Sequence, residues 1–189
     1  MPGAVEASGM DDGVERLVDE IEAVRAVQGG DLGAFAPLYA AYWSTVHGIV
    51  LARARTVEVA DVVQDVFVVA LQRIAELRDP AAFGGWLATM ARRASVDAVR
   101  RRRATTDVTD DVRVAVPPPR IEALAVLQAI RELPEAYRET LVLRLVEGMT
   151  GPEIALRTGM TAGSVRVNLH RGMKLLRTRL GDGEEVRDA

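Results

Sequence analysis

An all-α fold, built as two small helical domains, is what this sequence predicts, and three observations carry the prediction. Apolar residues recur three and four positions apart on both sides of residues 105–120, and no stretch alternates convincingly as a strand would. Thr105 to Arg120, TTDVTDDVRVAVPPPR, has no helical period and ends in three prolines that stiffen an extended spacer. Thr150 to Leu180 carries two helix caps separated by a glycine, the pattern of a helix-turn-helix, here winged-helix-like without a wing. The expected division is a disordered N-terminus at 1–10, a first domain at 11–103, a linker at 104–120, a second domain at 121–180 and an acidic tail at 181–189.

The first expected helix runs from Asp11 to Val27, with Val14, Leu17, Val18, Ile21, Val24 and Val27 on one face, and Gly29 and Gly30 end it. A second runs from about Leu32 to Arg55; Phe35, Tyr39, Tyr42, Trp43, Val46 and Val50 form a stripe expected to be buried against neighbouring helices. The third, about Val57 to Leu77, carries two stripes. One is Val63, Phe67, Ala70, Leu71 and Ile74; the other is Val62, Val66 and Val69, beside a polar edge of Asp61, Gln64 and Asp65. Two stripes fit either a central helix or a surface on which an apolar strip rimmed by carboxylates docks a basic partner. A fourth helix begins near Phe83, after the Arg78-Asp79-Pro80 break, with Phe83, Trp86, Leu87 and Met90 early and Arg92, Arg93 and Arg100 to Arg103 late. Aromatics beside an arginine-rich stretch suit single-stranded nucleic acid, since bases stack while arginines track phosphates; the plainer reading puts Phe83 and Trp86 in the core. Beyond the linker, one helix is expected over Ile121 to Leu133 and another from Pro134 to Gly148.

In the final stretch, Thr150 caps a short helix with Glu153 placed to complete a capping box, Gly159 ends it, and Thr161 caps a longer one. Val165, Leu169, Gly172, Leu176 and Leu180 define its buried stripe. Arg166, Val167, His170, Arg171 and Lys174 lie on the other side, and no Asp or Glu occurs between Glu153 and Asp182. Such a face offers a grooved polyanion donors and positive charge without local repulsion, so duplex DNA is the expected partner.

Composition limits the alternatives. The net charge of −3 gives no argument from the total, but the distribution is uneven: 11–22 and the tail are acidic, 92–103 and 166–179 basic. The absence of cysteine removes disulfides, thiol catalysis and cysteine-ligated zinc. No signal peptide or membrane-length apolar run occurs, which places the expected site of action in the cytoplasm. Glu58, Asp61 and Asp65 share a face, but with His47 and His170 the only histidines no Glu-x-x-His partner exists, and neither metal nor cofactor is expected.

Three blocks in order, DVVQDVF at 61–67, FGGWLATMARRASVDAVRRRR at 83–103 and the long stretch from Leu133 to Leu180, resemble the extracytoplasmic-function sigma factors of the sigma-70 family. The resemblance implies a bacterial transcription initiation factor that binds core RNA polymerase, directs it to promoters and catalyses no covalent reaction. It implies that 11–103 is sigma region 2, in which Asp61, Gln64, Asp65 and Phe67 meet the β′ coiled coil, and Trp86, Arg92, Arg93, Arg100 and Arg101 bind and help melt the −10 strand. It implies that 121–180 is region 4, in which Arg166, Val167, His170, Arg171 and Lys174 read the −35 element, with the β flap as a further polymerase contact and an anti-sigma factor as a regulator. Departures from the family pattern are Val167-Asn168 where Ser-Arg is common, Arg93 where Asn is common, and Ala60 where Glu is common. The rival reading is a dimeric helix-turn-helix regulator that binds palindromic duplex without polymerase; a carboxylate-metal bundle fused to a DNA-binding domain is a third.

Overall fold

In a computed structural model, the described residues are 6–53, 59–105 and 118–185, and they are helical almost throughout, without a strand among them. Eight α-helices are found there: α1 (Glu6–Gln28), α2 (Phe35–Leu51), α3 (Val59–Arg73), α4 (Phe83–Thr105), α5 (Pro118–Arg131), α6 (Glu135–Leu145), α7 (Gly151–Thr158) and α8 (Ala162–Glu185). The all-α expectation holds.

In the first half, α2, α3 and α4 pack mutually and α1 lies along α2. Phe35, Leu38, Tyr42, Val46, Ile49 and Val50 of α2 meet Val62, Val63, Val66, Phe67 and Ala70 of α3 and Phe83, Leu87 and Ala91 of α4 in one buried cluster. The end of α1 is pinned by a side chain: Gln28 Nε2 donates to the carbonyls of Ile74 and Leu77, at 2.9 and 2.8 Å, satisfying two acceptors where α3 gives way to a 3-10 turn. In the second half, α6 packs along α8, and α7 closes a smaller cluster of Leu143, Met149, Ile154 and Val165. Gly172 lets α8 approach α6 closely, since a Cβ there would meet Leu141 and Tyr137 at 3.0 and 3.1 Å.

Several boundaries differ from the sequence expectation. Residues 6–10, expected to be disordered, open α1, and residues 181–185, expected to be tail, continue α8. Pro118, Pro119 and Arg120 begin α5 instead of closing an extended spacer, because proline is compatible with the first helical turn, where its missing N–H has no acceptor to lose. The rest of the linker, 106–117, together with residues 1–5, residues 54–58, which include Glu58 and the expected helix ends at Arg55 and Val57, and the tail at 186–189, lies outside the described residues.

Burial corrects the stripes. Tyr39 and Trp43, expected in the core, are 43% and 42% exposed, and Leu180, expected on the buried stripe of α8, is also exposed. Helical spacing puts residues on one side of a cylinder but does not say how far along it a neighbour reaches. On α3 both stripes are largely buried, leaving Val68 and Val69 as the exposed apolar pair, so the helix is central.

The two halves do not stand apart. The larger buried cluster runs on from Ala98 into Leu127, Ile130, Leu141, Val142 and Leu176; α4 packs on α7 and α2 on α6. No helix among the described residues is long and apolar enough to cross a membrane.

Candidate functional site

The helix-turn-helix is built as its local sequence requires. Thr150 Oγ1 accepts from the Glu153 backbone N–H and Glu153 returns a bond to the Thr150 N–H at 2.8 Å, completing the capping box. Gly159 takes φ +71° at the end of α7, a left-handed conformation that suits glycine. Thr161 Oγ1 accepts from the Ser164 N–H at 3.1 Å and so caps α8. Val165, Gly172 and Leu176 turn inward, while Arg166, Val167, His170, Arg171 and Lys174 are all exposed along the outer side of α8. A rigid, capped helix thus presents three permanent cations and a histidine in one file. Such a file can meet phosphates and base edges in a major groove.

The first half carries the other candidate residues. Asp61, Gln64 and Asp65 are exposed on α3, whereas Phe67 is only 4% exposed, with its ring 4.5 Å from that of Tyr39. Phe67 therefore forms the floor of a groove between α2 and α3, of about 720 Å³, whose walls include Tyr39, Trp43, Gln64 and Val68. A second groove, between α3 and α4, brings Asp65 together with Arg93 and Arg101, so the acidic edge of α3 and the basic face of α4 share one surface. Arg93, Arg100 and Arg101 are exposed; the side chains of Arg102 and Arg103 lie outside the described residues. Trp86 is half-buried against the core, 6.0 Å from Phe83.

Arg92 is placed differently. Its Nε donates to both carboxylate oxygens of Glu139, at 3.2 and 3.0 Å, and its Nη2 donates to Oε1 at 2.7 Å and to the Thr158 carbonyl at 3.3 Å. Arg53 Nη1 reaches the same carboxylate at 3.0 Å. Glu139, 2% exposed, comes from α6, so one buried anion of the second half holds two arginines of the first. His47 Nδ1 and Glu147 Oε1 lie 2.7 Å apart across the same boundary, with the His47 ring stacked on Trp43 at 4.7 Å. Arg131 donates to the Leu51 carbonyl, and Arg157, whose guanidinium lies over the Tyr42 ring, donates to the Ala41 carbonyl. Beside it the Tyr42 hydroxyl donates to Glu20 at 2.7 Å. Burial raises the Glu20 carboxyl above its ordinary range despite that bond and the nearby Arg157, and burial likewise raises the Tyr42 hydroxyl, helped by the adjacent Glu20 charge.

None of these cross-boundary contacts is foreseen from the sequence, where Glu139 reads as one more polar position on a helix. The glycines Gly48, Gly84 and Gly85, lodged within or at the start of helices, are the signal that could have marked a close approach there.

Comparison with known proteins fits this arrangement. Residues 38–105 match the family model for Sigma-70 region 2, and residues 123–176 that for Sigma-70, region 4. RNA polymerase sigma factor CarQ of Myxococcus xanthus is 31% identical over 163 residues, spanning 82% of this chain and 94% of CarQ. The ECF RNA polymerase sigma factor BldN of Streptomyces coelicolor is 29% identical over 177 residues, 86% of this chain and 66% of BldN. The chain belongs to the sigma-70 family, among its extracytoplasmic-function members. This sigma factor is accordingly a transcription initiation factor that works with RNA polymerase. It is also similar to the probable RNA polymerase sigma factor RfaY of Xanthomonas campestris pv. campestris, 32% identical over 161 residues, although it spans only 40% of that longer relative. Among solved structures, that of CnrH in complex with the cytosolic domain of CnrY superposes with a TM-score of 0.64 at 25% identity, over 87% of this chain and 98% of the other.

Proposed function

We propose that this sigma factor loads core RNA polymerase onto bipartite promoters, with the labour divided between its two halves and no covalent step of its own. The observation that carries the reading is the outer face of α8 over its acid-free stretch before Asp182, where Arg166, Val167, His170, Arg171 and Lys174 stand together on a doubly capped helix-turn-helix. In this reading these five residues read the −35 element, and one bidentate arginine to guanine supplies about 1–3 kcal/mol of discrimination. Arg93, Arg100 and Arg101, with Arg92 and Trp86, take the separated −10 strand, and Asp61, Gln64 and Asp65 meet the polymerase β′ coiled coil beside the groove floored by Phe67. Residues 11–103 and 121–180 are then regions 2 and 4, a β flap contact falls to the second, and the site of action is the cytoplasm. An anti-sigma factor is a fitting regulator, since the similar CnrH was solved with the cytosolic domain of CnrY bound.

The test is run-off transcription by purified core polymerase on fragmented genomic DNA, with and without the chain. Specific transcripts should appear only with it. Arg171→Ala should lower initiation from the selected promoters about tenfold or more while leaving polymerase binding intact, the cost of one lost base contact. Asp61→Ala should weaken polymerase binding instead. Palindromic duplex bound tightly without polymerase, and no transcripts with it, would favour the dimeric regulator.

A further inference from the structure

The guanidinium of Arg92 is taken up by a carboxylate of the same chain, and that carboxylate is buried. We infer that Glu139 is an internal substitute for a nucleic-acid phosphate: it locks the two halves together through Arg53 and Arg92 and keeps Arg92 from any outside strand until the halves part. The masking of a strand-binding residue rests on the function proposed above; the lock does not.

The chemistry makes the substitution direct. A planar guanidinium fork recognises carboxylate and phosphate with the same pair of parallel N–H donors, so an arginine suited to a DNA backbone is equally satisfied by Glu139. Glu139 engages both oxygens with Arg92, adds Arg53 at 3.0 Å and is sealed from water, so it competes with a solvated phosphate at an advantage while the halves remain in contact. Arg53 is tied on its Nε to Glu135 at 3.3 Å as well, so α6 supplies two carboxylates to one arginine of the first half.

A second, independent observation shows that the backbone is cut to fit the closed arrangement. A Cβ on Gly48 would come within 2.7 Å of Leu143 Cδ2 and 3.0 Å of Glu147 Cγ, both on the other half. One on Gly84 would meet the Tyr42 hydroxyl of its own half at 2.6 Å before the Arg157 carbonyl at 3.1 Å, so the clearer cases are Gly48 and Gly85, the latter facing the Cα of Gly159, 3.4 Å from where its own Cβ would stand. The positive-φ glycines are Gly30, Gly148 and Gly159 alone among the described residues, so Gly48, Gly84 and Gly85 are not required by backbone conformation. Glycine within a helix lowers its stability, and here the return is close approach of the second half. Beside the shared apolar cluster, polar ties cross the seam: Arg53 and Arg92 to Glu139, His47 to Glu147, and Arg131 and Arg157 to backbone carbonyls. These polar ties are the part of the seam that can exchange its partners for solvent and polyanion.

The full chain has no cysteine, so Gln72→Cys on α3 and Thr178→Cys on α8, both at exposed positions, give a unique pair of labels for distance measurement by pulsed electron paramagnetic resonance. Glu139→Ala removes the anion while keeping a good helix former. Gly48→Ala adds a methyl group that the first half tolerates and the second meets. The doubly labelled parent should show one narrow distance distribution, and both variants an added, longer population. Glu139→Ala should shift the closed-to-open ratio by about 30-fold or more, as expected for truncating one partner of a buried charge pair at an interface. Both variants should also bind a short single-stranded oligonucleotide more tightly than the parent. Unchanged distances in both variants, or a parent already open, would overturn the lock. Separation without gain in oligonucleotide affinity would overturn the masking. Altered distances with no promoter-directed transcription would support the lock and remove only the functional reading.

Discussion

Glu20 and Tyr42 show how burial sets charge at single residues. Burial raises the Glu20 carboxyl above its ordinary 4.5, and the Tyr42 hydroxyl that donates to it is raised too, so Tyr42 stays a donor throughout the working range. A carboxyl whose folded pKa is raised binds its proton more tightly folded than unfolded. Its contribution to stability is therefore fully present below the unfolded value and is lost as pH rises through the folded one. Glu20→Gln keeps an acceptor for Tyr42 but cannot ionise. The thermal midpoint of the parent relative to Glu20→Gln should accordingly be higher at about pH 4 than at about pH 8. A difference independent of pH would mean that Glu20 titrates as a solvated carboxylate.

At the scale of elements, the helix-turn-helix depends on two small devices with separate costs. Thr150→Ala should destabilise the chain by about 1 kcal/mol through loss of a cap, read as a shift in the denaturation midpoint. Gly159→Ala should cost more, since a left-handed alanine alone costs about 1–2 kcal/mol, and its Cβ would also stand 3.0 Å from the Cα of Gly85. Thr150, Glu153, Gly159 and Thr161 were legible in the sequence because a cap is decided by residues three positions apart. Tyr39 and Trp43 were not, because their exposure depends on where α3 stops covering α2. The same limit applies to Phe67: its spacing marked it as apolar, and only the packing shows that it underlies the groove and that Tyr39 and Trp43 wall it.

For the whole molecule, the order of the parts was legible and their mutual packing was not. A proline-rich acidic stretch suggests two bodies free to move, whereas a shared apolar cluster and Glu139 join them. Nothing about a glutamate on a helix reveals that arginines 47 and 86 positions before it close upon it. Breaking a buried ion pair from one side costs about 3–5 kcal/mol when the stranded charges stay buried; here the halves can part and rehydrate them. Calorimetry should therefore give one cooperative transition for the parent and two resolved transitions for Glu139→Ala. A single transition shifted downwards would mean that the halves unfold together without the ion pair.

The stacking of Trp43 on His47 gives the molecule an optical readout of its own posture. Only two tryptophans are present, and the other, Trp86, packs against Phe83. An imidazole lying flat on an indole and anchored to a carboxylate of the opposite half should quench its emission. When the anchor goes, the ring is released and the emission should brighten, so the arrival of polymerase, promoter or an inhibitor can be followed in unlabelled material, in real time, with a lamp.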